Sequence, residues 1–356
     1  MNKLKIALIG QGRSGRDIHG EYLKKDSNTI FEVVAVVEQD TQRRERALVE
    51  YPGCQVYADY KELFGRSDLD IVLNASYSEQ HYSITKDLME HGFNVLLEKP
   101  FARNYYECCD LMKTAKEHNV LLAIFQQSFY APFYDKMKEV LKSGVLGNIK
   151  QVSIRYNGLA RRWDWQTLQC KLAGSVYNTG PHPIGIALDL LEYDEETKVV
   201  YSKLDQALTS GDAEDYAKII LVAPNKPVMD IEVSSIDAFS DWNFKVQGSK
   251  GTFQCTINDY KLKYIPDGVN PEKPVVFESL RNEEGYPIYC KEELITCEES
   301  GSFGGTAIDV GTEKYYQMLY RTLTTGEPLE IKTEEMAKVV SVMETVHAQN
   351  PMPIKY

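Results

Sequence analysis

The chain has 356 residues, of which 43% are hydrophobic and 26% are charged, and its formal net charge is −12. The length predicts about two domains, and the acidic balance argues against a nucleic acid or an anionic membrane as the main partner. The sequence has no basic, hydrophobic leader and no apolar run that could span a bilayer, so we predict a cytoplasmic protein. Its seven cysteines lack paired spacing, so we predict neither a disulfide framework nor a metal site.

The first predicted strand, Leu4 to Ile9, leads directly into a glycine-rich loop. Gly10, Gly12 and Gly15 have the spacing G-x-G-x-x-G, and a helix is predicted from Arg16 to Lys25. These glycines permit a tight turn, close approach of the backbone to a pyrophosphate and close packing of the helix, whose N-terminus attracts phosphate. The loop is therefore predicted to bind a dinucleotide through six consecutive residues: Gly10, Gln11, Gly12, Arg13, Ser14 and Gly15.

The second predicted strand, Phe31 to Val37, ends at Glu38. A carboxylate at this position typically binds the ribose hydroxyls of NAD, and it repels the 2′-phosphate of NADP. We therefore predict NAD as the cofactor, with NADP as the less favoured alternative because Arg43 and Arg44 lie nearby. The other interpretation of Glu38 is a solvated strand end.

Strands and helices continue to alternate up to residue 128. The predicted helices are Arg43 to Glu50, Glu79 to Glu90 and Tyr105 to His118, and the predicted strands are Gln55 to Tyr57, Asp70 to Ser76, Val95 to Leu97 and Val120 to Phe125. Such alternation indicates right-handed crossovers and a doubly wound parallel sheet. We predict an α/β, dinucleotide-binding Rossmann domain over residues 1–128.

The strand Val95 to Leu97 ends in the tripeptide Glu98-Lys99-Pro100. Pro100 has no N–H group for the sheet and restricts Lys99 to an extended conformation. Lys99 is therefore expected at the carboxyl end of a parallel strand, where open α/β sheets bind their ligands. The alternative is a strand end with two solvated charges.

From residue 129 onward the pattern changes. A helix is predicted from Pro132 to Leu141, and five long extended segments follow: Ile149 to Asn157, Lys198 to Leu208, Tyr216 to Ala223, Val228 to Ala238 and Phe244 to Thr256. Further helices are predicted at Pro181 to Leu191, Gly311 to Thr325 and Thr333 to Ala348. This pattern predicts an α+β domain for substrate binding and oligomerisation over residues 129–356, with a large, mostly antiparallel, open sheet. A bare sheet face would expose apolar surface, so we expect a homodimer or homotetramer.

Several motifs resemble those of one enzyme family. They are the Gly10/Gly12/Gly15 loop, Asp70 to Ser76 followed by His81, Glu98-Lys99-Pro100, Pro132 with Ser143 to Gly147, and Gly174 to His182. Over essentially its whole length the chain resembles the Gfo/Idh/MocA family of nicotinamide-dependent oxidoreductases. The resemblance implies that Lys99 and His182 form the catalytic pair. It also implies that six residues lie along the cofactor: Ser76, Tyr77, His81, Glu98, Lys99 and Gln126.

Elementary chemistry supports the same pair. Oxidation of an alcohol needs a base for the hydroxyl proton while a hydride leaves for the nicotinamide, and histidine titrates close to neutral pH. A lysine ammonium beside the hydroxyl stabilises the developing alkoxide. The chain departs from the family at Asn178, where many members carry aspartate. Asn178 can hydrogen-bond to the substrate or to His182, but it cannot be a charged partner.

The segment Arg161 to Trp165 is a candidate for substrate contact. Its indole rings can stack on sugar rings, and its arginines can bind hydroxyl or carboxylate groups; packing against a neighbouring subunit is an equal alternative. The predicted substrate-binding residues are Lys99, Tyr156, Arg162, Trp163, Trp165, Asn178 and His182, with Lys171 as a weaker candidate. The other histidines without a surrounding constellation are interpreted as surface or capping residues: His19, His91, His118 and His347.

These observations predict an NAD-dependent dehydrogenase that oxidises a hydroxyl group of a small sugar, cyclitol or glycoside. One alternative is a glycoside-cleaving enzyme that oxidises its substrate transiently and reduces it again. Another is a non-catalytic, cofactor-binding regulator, which the presence of Lys99 and His182 disfavours. A reductase of a keto-sugar would differ only in direction.

Overall fold

The computed structural model describes residues 3–356 of the chain. Its first half contains a six-stranded sheet in the order β3-β2-β1-β4-β5-β6, in which the pairings are parallel. The strands are β1 (Leu4–Ile9), β2 (Phe31–Val37), β3 (Gln55–Tyr57), β4 (Ile71–Asn74), β5 (Val95–Leu97) and β6 (Leu122–Ile124). The strand order reverses between β1 and β4, so the ligand crevice of this doubly wound sheet lies at the carboxyl ends of those strands. The predicted Rossmann-like sheet is confirmed.

The connections of this sheet are helical. They include α1 (Glu21–Leu23), α2 (Thr41–Glu50), α3 (His81–Glu90) and α4 (Tyr105–Glu117). Helices α2 and α4 begin where the sequence supplies a capping side chain, since Asp40 and Asn104 accept hydrogen bonds from backbone N–H groups of the first turns. His91 and His118 lie at the C-terminal ends of α3 and α4 and are exposed, as expected of capping residues.

The helix after the glycine-rich loop differs from the prediction. Residues Gly15–Gly20 are wound as a π-helix ahead of α1. π-helical turns are rare and frequently occur at functional sites. This turn places His19 in the interior, where its side chain is fully buried. The prediction of His19 as a surface or capping residue is therefore wrong.

The second half contains an eight-stranded sheet in the order β14-β13-β12-β11-β7-β10-β9-β8. Its strands are β7 (Ile149–Asn157), β8 (Lys198–Asp205), β9 (Tyr216–Val222), β10 (Val228–Ser234), β11 (Phe244–Gly248), β12 (Gly251–Cys255), β13 (Asp259–Tyr264) and β14 (Cys297–Ser302). Within residues 3–356, β7 and β10 form the one parallel pair of this sheet, so the mostly antiparallel arrangement is confirmed. The predicted single strand Phe244 to Thr256 is instead a hairpin of β11 and β12.

One face of the second sheet packs on α5 (Pro132–Ser143), α6 (Ser175–Asn178) and α7 (Pro181–Leu190), and the other face is open. The inner face is apolar and buried, as in Ile219, Leu221 and Ile231. The open face is polar: the Nζ atom of Lys218 lies 2.5 Å from a carboxylate oxygen of Asp230 and 3.3 Å from one of Glu232. The strands therefore alternate apolar and polar side chains, and the bare face is not the apolar surface expected from the sequence.

The C-terminal end of the chain returns to the first sheet. Helix α8 (Thr312–Thr325) and helix α9 (Thr333–Gln349) form this return. In α8 the hydroxyl of Tyr315 donates to the carbonyl oxygen of Ile124 in β6 at 2.7 Å, and the ring of Tyr316 stacks on Tyr22. Helix α9 packs against α4 and β6 and also against α7 and β8. The last two helices thus join the two halves of the molecule.

Candidate active site

The glycine-rich loop lies at the carboxyl end of β1. Gly10 has a φ of +90°, and a Cβ atom there would collide with the carbonyl oxygen of Ala75. A Cβ atom at Gly15 would collide with the carbonyl oxygen of Gly10, so both positions require glycine. A Cβ atom at Gly12 would instead have no atom within 4 Å. The backbone at Gly12 therefore faces open space, as required for the close approach of a pyrophosphate.

Glu38 is fixed beside this loop. Its Oε2 atom accepts a hydrogen bond from the backbone N–H of Gln11 at 2.8 Å. Arg43 lies 3.5 Å from the same carboxylate, whereas the guanidinium of Arg44 donates to the carbonyl oxygens of Glu38 and Gln39. The carboxylate therefore lies next to the glycine-rich loop, at the position of the adenosine ribose in dinucleotide-binding folds.

Two buried glutamines near this crevice, Gln11 and Gln126, each have a side-chain oxygen, Oε1, that accepts no hydrogen bond from residues 3–356. The amide of Gln126 also donates to the carbonyl oxygen of Pro181 at 2.6 Å. Unpaired buried acceptors in a native site point to a ligand or a water molecule. Arg13 and Ser14 complete the loop, with Arg13 exposed and Ser14 partly buried.

His81 is buried at the start of α3 and connects the turn after β4 with the segment after β5. The ring nitrogens of His81 lie 2.8 Å from the carbonyl oxygen of Pro100 and 3.2 Å from that of Ser76. Burial lowers the pKa of His81, so we assign the single proton of the neutral ring to Nδ1, which has the shorter contact. Tyr77 is exposed, and its ring lies edge-on to Trp165 with centroids 5.0 Å apart.

Lys99 lies at the carboxyl end of β5, and its Nζ atom donates to the backbone carbonyl oxygen of Asn178 at 3.0 Å. The buried carboxylate of Glu98 accepts from His19 Nε2 and from the backbone N–H of Lys99, both at 3.0 Å. Burial would raise the pKa of Glu98, but the hydrogen bond donated by His19 and the nearby positive charge outweigh burial and lower it. Glu98 is therefore ionised next to Lys99.

His182 is the second residue of α7, directly after Pro181. Its Nδ1 atom lies 3.2 Å from Oγ of the buried Ser128, and its ring is nearly parallel to that of Tyr156, with centroids 6.4 Å apart. Burial and the positive charge of Lys99 lower the pKa of His182 to about 3. The imidazole is therefore neutral near pH 7 and, with Nδ1–H donating to Ser128, can accept a proton at Nε2.

Asn178 ends α6 and connects the two ends of the site. Its backbone oxygen accepts from Lys99, and its side-chain amide donates to the backbone oxygen of Gln166 at 3.0 Å. Among residues 3–356 the amide makes no hydrogen bond to His182. The side chain of Asn178 is thus oriented by Gln166, while its backbone positions the ammonium of Lys99.

A cavity of roughly 200 Å³ adjoins the pair through Tyr156 and Asn178. Neither Lys99 nor His182 lines it. Hydroxyl and amide groups are frequent in its lining, which includes Asn157, Gln166, Thr179, Thr209, Ser234 and Ser235. The guanidinium of Arg162 also faces this cavity and donates to the side chain of Gln166. Glu214 and Asp215 also line it, so the cavity presents several neutral donors and acceptors, one cation and two acidic residues to a ligand.

The structure does not bring every predicted substrate residue to this cavity. Trp163 is 78% exposed, and Trp165 is partly buried against Tyr77. Lys171 forms an ion pair with Glu79 at 2.6 Å, so its charge is already compensated. Tyr156, Arg162 and Asn178 are the predicted residues that line the cavity.

The buried carboxylate of Glu214 was not predicted from the sequence. Its Oε1 atom accepts from the backbone N–H of Val176 at 2.8 Å, and its Oε2 atom lies 3.7 Å from Nε2 of His347. Nδ1 of His347 lies 2.8 Å from the carbonyl oxygen of Met343. Burial disfavours the imidazolium, but the Glu214 carboxylate raises the pKa of His347. Glu214 thus supports the start of α6, and no local sequence pattern distinguishes it from a solvated acid.

Two kinds of feature are absent from the described residues. In residues 3–356 there is no helix with the length and apolar character needed to cross a membrane. The same residues contain no group of three or more His, Cys, Asp or Glu side chains arranged to hold a metal ion.

The chain matches two sequence models of protein domains. Residues 4–126 match an oxidoreductase family with an NAD-binding Rossmann fold, named GFO_IDH_MocA. Residues 134–254 match the GFO/IDH/MocA C-terminal domain. The two matches together span more than half of the chain.

Curated relatives and a solved structure agree with these matches. An uncharacterised oxidoreductase of Schizosaccharomyces pombe is 28% identical over 284 residues, covering 77% of this chain and 76% of that protein. The 2,7-anhydro-N-acetylneuraminate hydratase of Mediterraneibacter gnavus is 24% identical, covering 73% and 69%. The scyllo-inositol 2-dehydrogenase (NADP(+)) of Bacillus subtilis is 23% identical, covering 53% and 52%. An NAD-binding protein from Listeria innocua has the same fold, with a TM-score of 0.80 at 20% identity over 98% of both chains.

Proposed function

Because the chain belongs to the GFO/IDH/MocA family of NAD-binding oxidoreductases, we propose that it oxidises a hydroxyl group of a sugar, cyclitol or glycoside with NAD as the hydride acceptor. The observation that carries this proposal is the convergence of Lys99 and His182 beside a cavity rich in hydroxyl and amide groups. Lys99 comes from the strand end of β5 and His182 from the start of α7, so both halves of the molecule contribute to the site.

The residues at the crevice fit a nicotinamide dinucleotide. The open backbone at Gly12 suits the pyrophosphate, Glu38 suits the adenosine ribose, and the unpaired oxygen of Gln126 is a buried acceptor. When bound, the nicotinamide accepts a hydride from the substrate carbon. The protein contributes the orientation of the two reactants and the handling of the hydroxyl proton.

Lys99 and His182 have different roles in the proposed removal of the hydroxyl proton. The ammonium of Lys99, held by the Asn178 carbonyl, stabilises the alkoxide that forms as the proton leaves. The neutral imidazole of His182 accepts that proton at Nε2 while Ser128 holds Nδ1. Since its pKa is only about 3, His182 is a weak base.

The lining of the cavity supports the proposed substrate class. Several small hydroxyl and amide side chains can each exchange one hydrogen bond with a polyhydroxylated ring. The relative named scyllo-inositol 2-dehydrogenase supports a polyol of this kind. The experiment is a panel of sugars, cyclitols and glycosides with NAD⁺, read as the absorbance of NADH. No turnover of any polyhydroxylated compound with either NAD⁺ or NADP⁺ would contradict the proposal.

A second candidate uses the same residues without net oxidation. In this case the substrate is oxidised transiently, water is added or an oxygen substituent is eliminated, and the carbon is reduced again. The relative named 2,7-anhydro-N-acetylneuraminate hydratase favours it. The same panel separates the two candidates when the substrates and products are also followed by chromatography, because this activity converts the substrate with no accumulation of NADH.

Cofactor preference should depend on Glu38. In the wild type we expect NAD⁺ to be favoured in kcat/KM, because the Glu38 carboxylate lies where a 2′-phosphate would bind and would repel it. Glu38→Gln should lower the ratio of kcat/KM for NAD⁺ to kcat/KM for NADP⁺ by at least about tenfold. Arg43 lies 3.5 Å from the carboxylate in the wild type, and in the variant it is free to bind the 2′-phosphate. Steady-state kinetics with both cofactors measure this ratio. Equal kcat/KM values for the two cofactors in the wild type would show that Glu38 does not face the ribose.

We further propose that the chain forms a symmetric dimer or a dimer of dimers. Three exposed apolar side chains follow β7 and β10, namely Leu159, Ile236 and Phe239, and solvent-exposed apolar clusters commonly mark interfaces. Light scattering at micromolar concentration should give at least twice the mass of one chain, and Leu159→Asp should lower it. Val49→Asp, a change at an exposed valine of α2, is the matched control. A clean monomer mass for the wild type would contradict dimer formation.

A further inference from the structure

A chain of three buried polar side chains lies behind Lys99 and connects helix α8 with Glu98. The hydroxyl of Tyr316 lies 2.8 Å from Nδ1 of His19, and Nε2 of His19 lies 3.0 Å from Oε1 of Glu98. None of the three residues is more than 2% exposed. They come from the π-helical turn, the end of β5 and helix α8, so the chain of contacts forms only when the C-terminal helices are in place.

The hydrogen-bonding capacity of these groups determines where the protons are. Glu98 is ionised and can only accept, so Nε2 of His19 must donate to it. Nδ1 of a neutral ring then accepts from the hydroxyl of Tyr316. If His19 were a cation, Nδ1–H would donate to the Tyr316 oxygen, and the hydroxyl proton would have no acceptor among residues 3–356. The neutral ring with its proton on Nε2 is therefore the state in which every buried donor is paired.

Aromatic packing holds these groups in place. The centroid of the His19 ring lies 4.2 Å from that of Phe125. The Tyr316 ring stacks on Tyr22 at 4.7 Å and contacts the edge of Phe31 at 5.3 Å. Close packing of this kind restricts side chains to one rotamer. The donor of His19 is thus aimed at Glu98 whether or not a ligand is present.

We propose that His19, oriented by Tyr316, is a positioning residue that holds the Glu98 carboxylate in place at the nicotinamide end of the crevice and so favours the oxidised cofactor over the reduced one. The glycine-rich loop and Glu38 place the adenosine half over β1 and β2, so the nicotinamide half belongs over β4 and β5, where Glu98 lies. The oxidised nicotinamide ring is cationic and the reduced ring is neutral. Without the Glu98 carboxylate, that ring and Lys99 would place two uncompensated positive charges together.

The proton position can be tested without any cofactor. Nitrogen NMR of the ¹⁵N-histidine-labelled protein should show His19 as a neutral ring protonated on Nε2 around neutral pH. In Tyr316→Phe the Nδ1 resonance should shift because its hydrogen-bond donor is lost, while Nε2 keeps its proton through the contact with Glu98. An imidazolium signal, or a ring protonated on Nδ1 in the wild type, would overturn the proposal.

The effect on the cofactor is tested by the ratio of the Kd values of NAD⁺ and NADH, measured by titration calorimetry. We expect His19→Leu to raise this ratio roughly tenfold, because the Glu98 carboxylate loses the donor that holds it in place and a hydrogen bond to a buried charge is usually worth at least that factor. His19→Gln, whose amide can donate to Glu98, should restore most of the preference. Tyr316→Phe should move the ratio in the same direction by a smaller factor. Tyr315→Phe, which removes an equally buried hydroxyl from the same helix but does not touch His19, should leave the ratio unchanged.

The role proposed for His19 assumes that a nicotinamide cofactor binds, and so it rests on the proposed function. The experimental outcomes nevertheless distinguish a failure of the one from a failure of the other. If the wild type binds neither NAD nor NADP in either redox state, the proposed function fails. If the wild type binds but Tyr316→Phe and the His19 variants keep the wild-type ratio, the role of His19 is contradicted and the dehydrogenase proposal stands. If His19→Leu fails to fold, Tyr316→Phe and the NMR measurement still decide the matter.

Discussion

Lys99→Met is expected to lower kcat by roughly two to three orders of magnitude while leaving the affinity for NAD nearly unchanged. Methionine keeps an unbranched stem of similar length, so the packing at the end of β5 is retained. The ammonium that would stabilise the alkoxide is lost. Among residues 3–356 no carboxylate oxygen lies within 4 Å of Lys99 Nζ, and its one hydrogen bond is to the Asn178 carbonyl at 3.0 Å. Its charge is therefore available to a substrate.

The matched control is Lys86→Met. Lys86 is also partly buried in the first half of the molecule, but it pairs with Asp110 at 2.6 Å, away from the crevice. Its loss should affect stability slightly and turnover little. Steady-state kinetics and cofactor titration on both variants separate binding from chemistry. Near-normal turnover by Lys99→Met would remove Lys99 from the mechanism.

His182→Asn is expected to lower kcat by roughly a hundredfold, near the lower end of the usual effect of a general base. Asparagine can keep a contact with Ser128, but it cannot take up a proton. The modest size of the expected loss follows from the low pKa of His182, about 3. Rapid-mixing measurement of the first turnover checks this, because it isolates the chemical step. An unchanged rate of that step would show that another group accepts the proton.

The pH profile of the wild type is a second test of His182. Oxidation requires the neutral imidazole, and burial together with Lys99 disfavours its protonation. The acid limb of kcat/KM should therefore lie well below the ordinary histidine value of about 6.5. The unfolded chain binds a proton at His182 below about pH 6.5 while the folded chain does not, so stability falls as the pH decreases from that value toward 3. Circular dichroism at each pH is the control for unfolding.

Asn178→Asp adds a negative charge at a residue whose backbone oxygen accepts from Lys99 and which lies four positions before His182. An opposite charge nearby favours the imidazolium, so the acid limb should move to higher pH by at least about one unit. The wild-type amide donates to the Gln166 carbonyl, and a carboxylate would be repelled by that oxygen and turned toward the cations. An acid limb that does not move would mean that residue 178 and His182 are not coupled electrostatically.

The first sheet was predictable because its strands are short apolar runs bounded by strong signals. Pro100 fixes the end of β5, and the glycine spacing fixes the end of β1. The second sheet was predictable only in outline. The segment Phe244 to Thr256 has continuous strand-like composition, so the turn that separates β11 from β12 was missed. Strand β14 has the sequence CEESGS and is largely exposed. Its place in the sheet is set by pairing with β13 rather than by a hydrophobic pattern.

At the candidate site, local sequence could place Lys99 and Glu38 but could not place their partners. Both residues end apolar strands of a parallel sheet, so topology alone brings them to the same edge. His182 lies 83 residues after Lys99 along the chain, and its position beside Lys99 was implied only by the resemblance. The contacts of Ser128 with His182 and of Tyr316 with His19 depend on tertiary packing between the two halves. No periodicity or spacing encodes such contacts.

The return of helices α8 and α9 to the first sheet makes the nucleotide-binding unit discontinuous along the chain. A fragment that stops near residue 128 would leave Phe31, Tyr22 and the His19 ring without the aromatic cover of Tyr316. Each large side chain uncovered in this way costs about 1.5–3 kcal/mol, a large part of the stability of a small domain. A soluble fragment for cofactor-binding work therefore has to contain both ends of the chain, either as two co-expressed pieces or with the C-terminal helices fused ahead of β1.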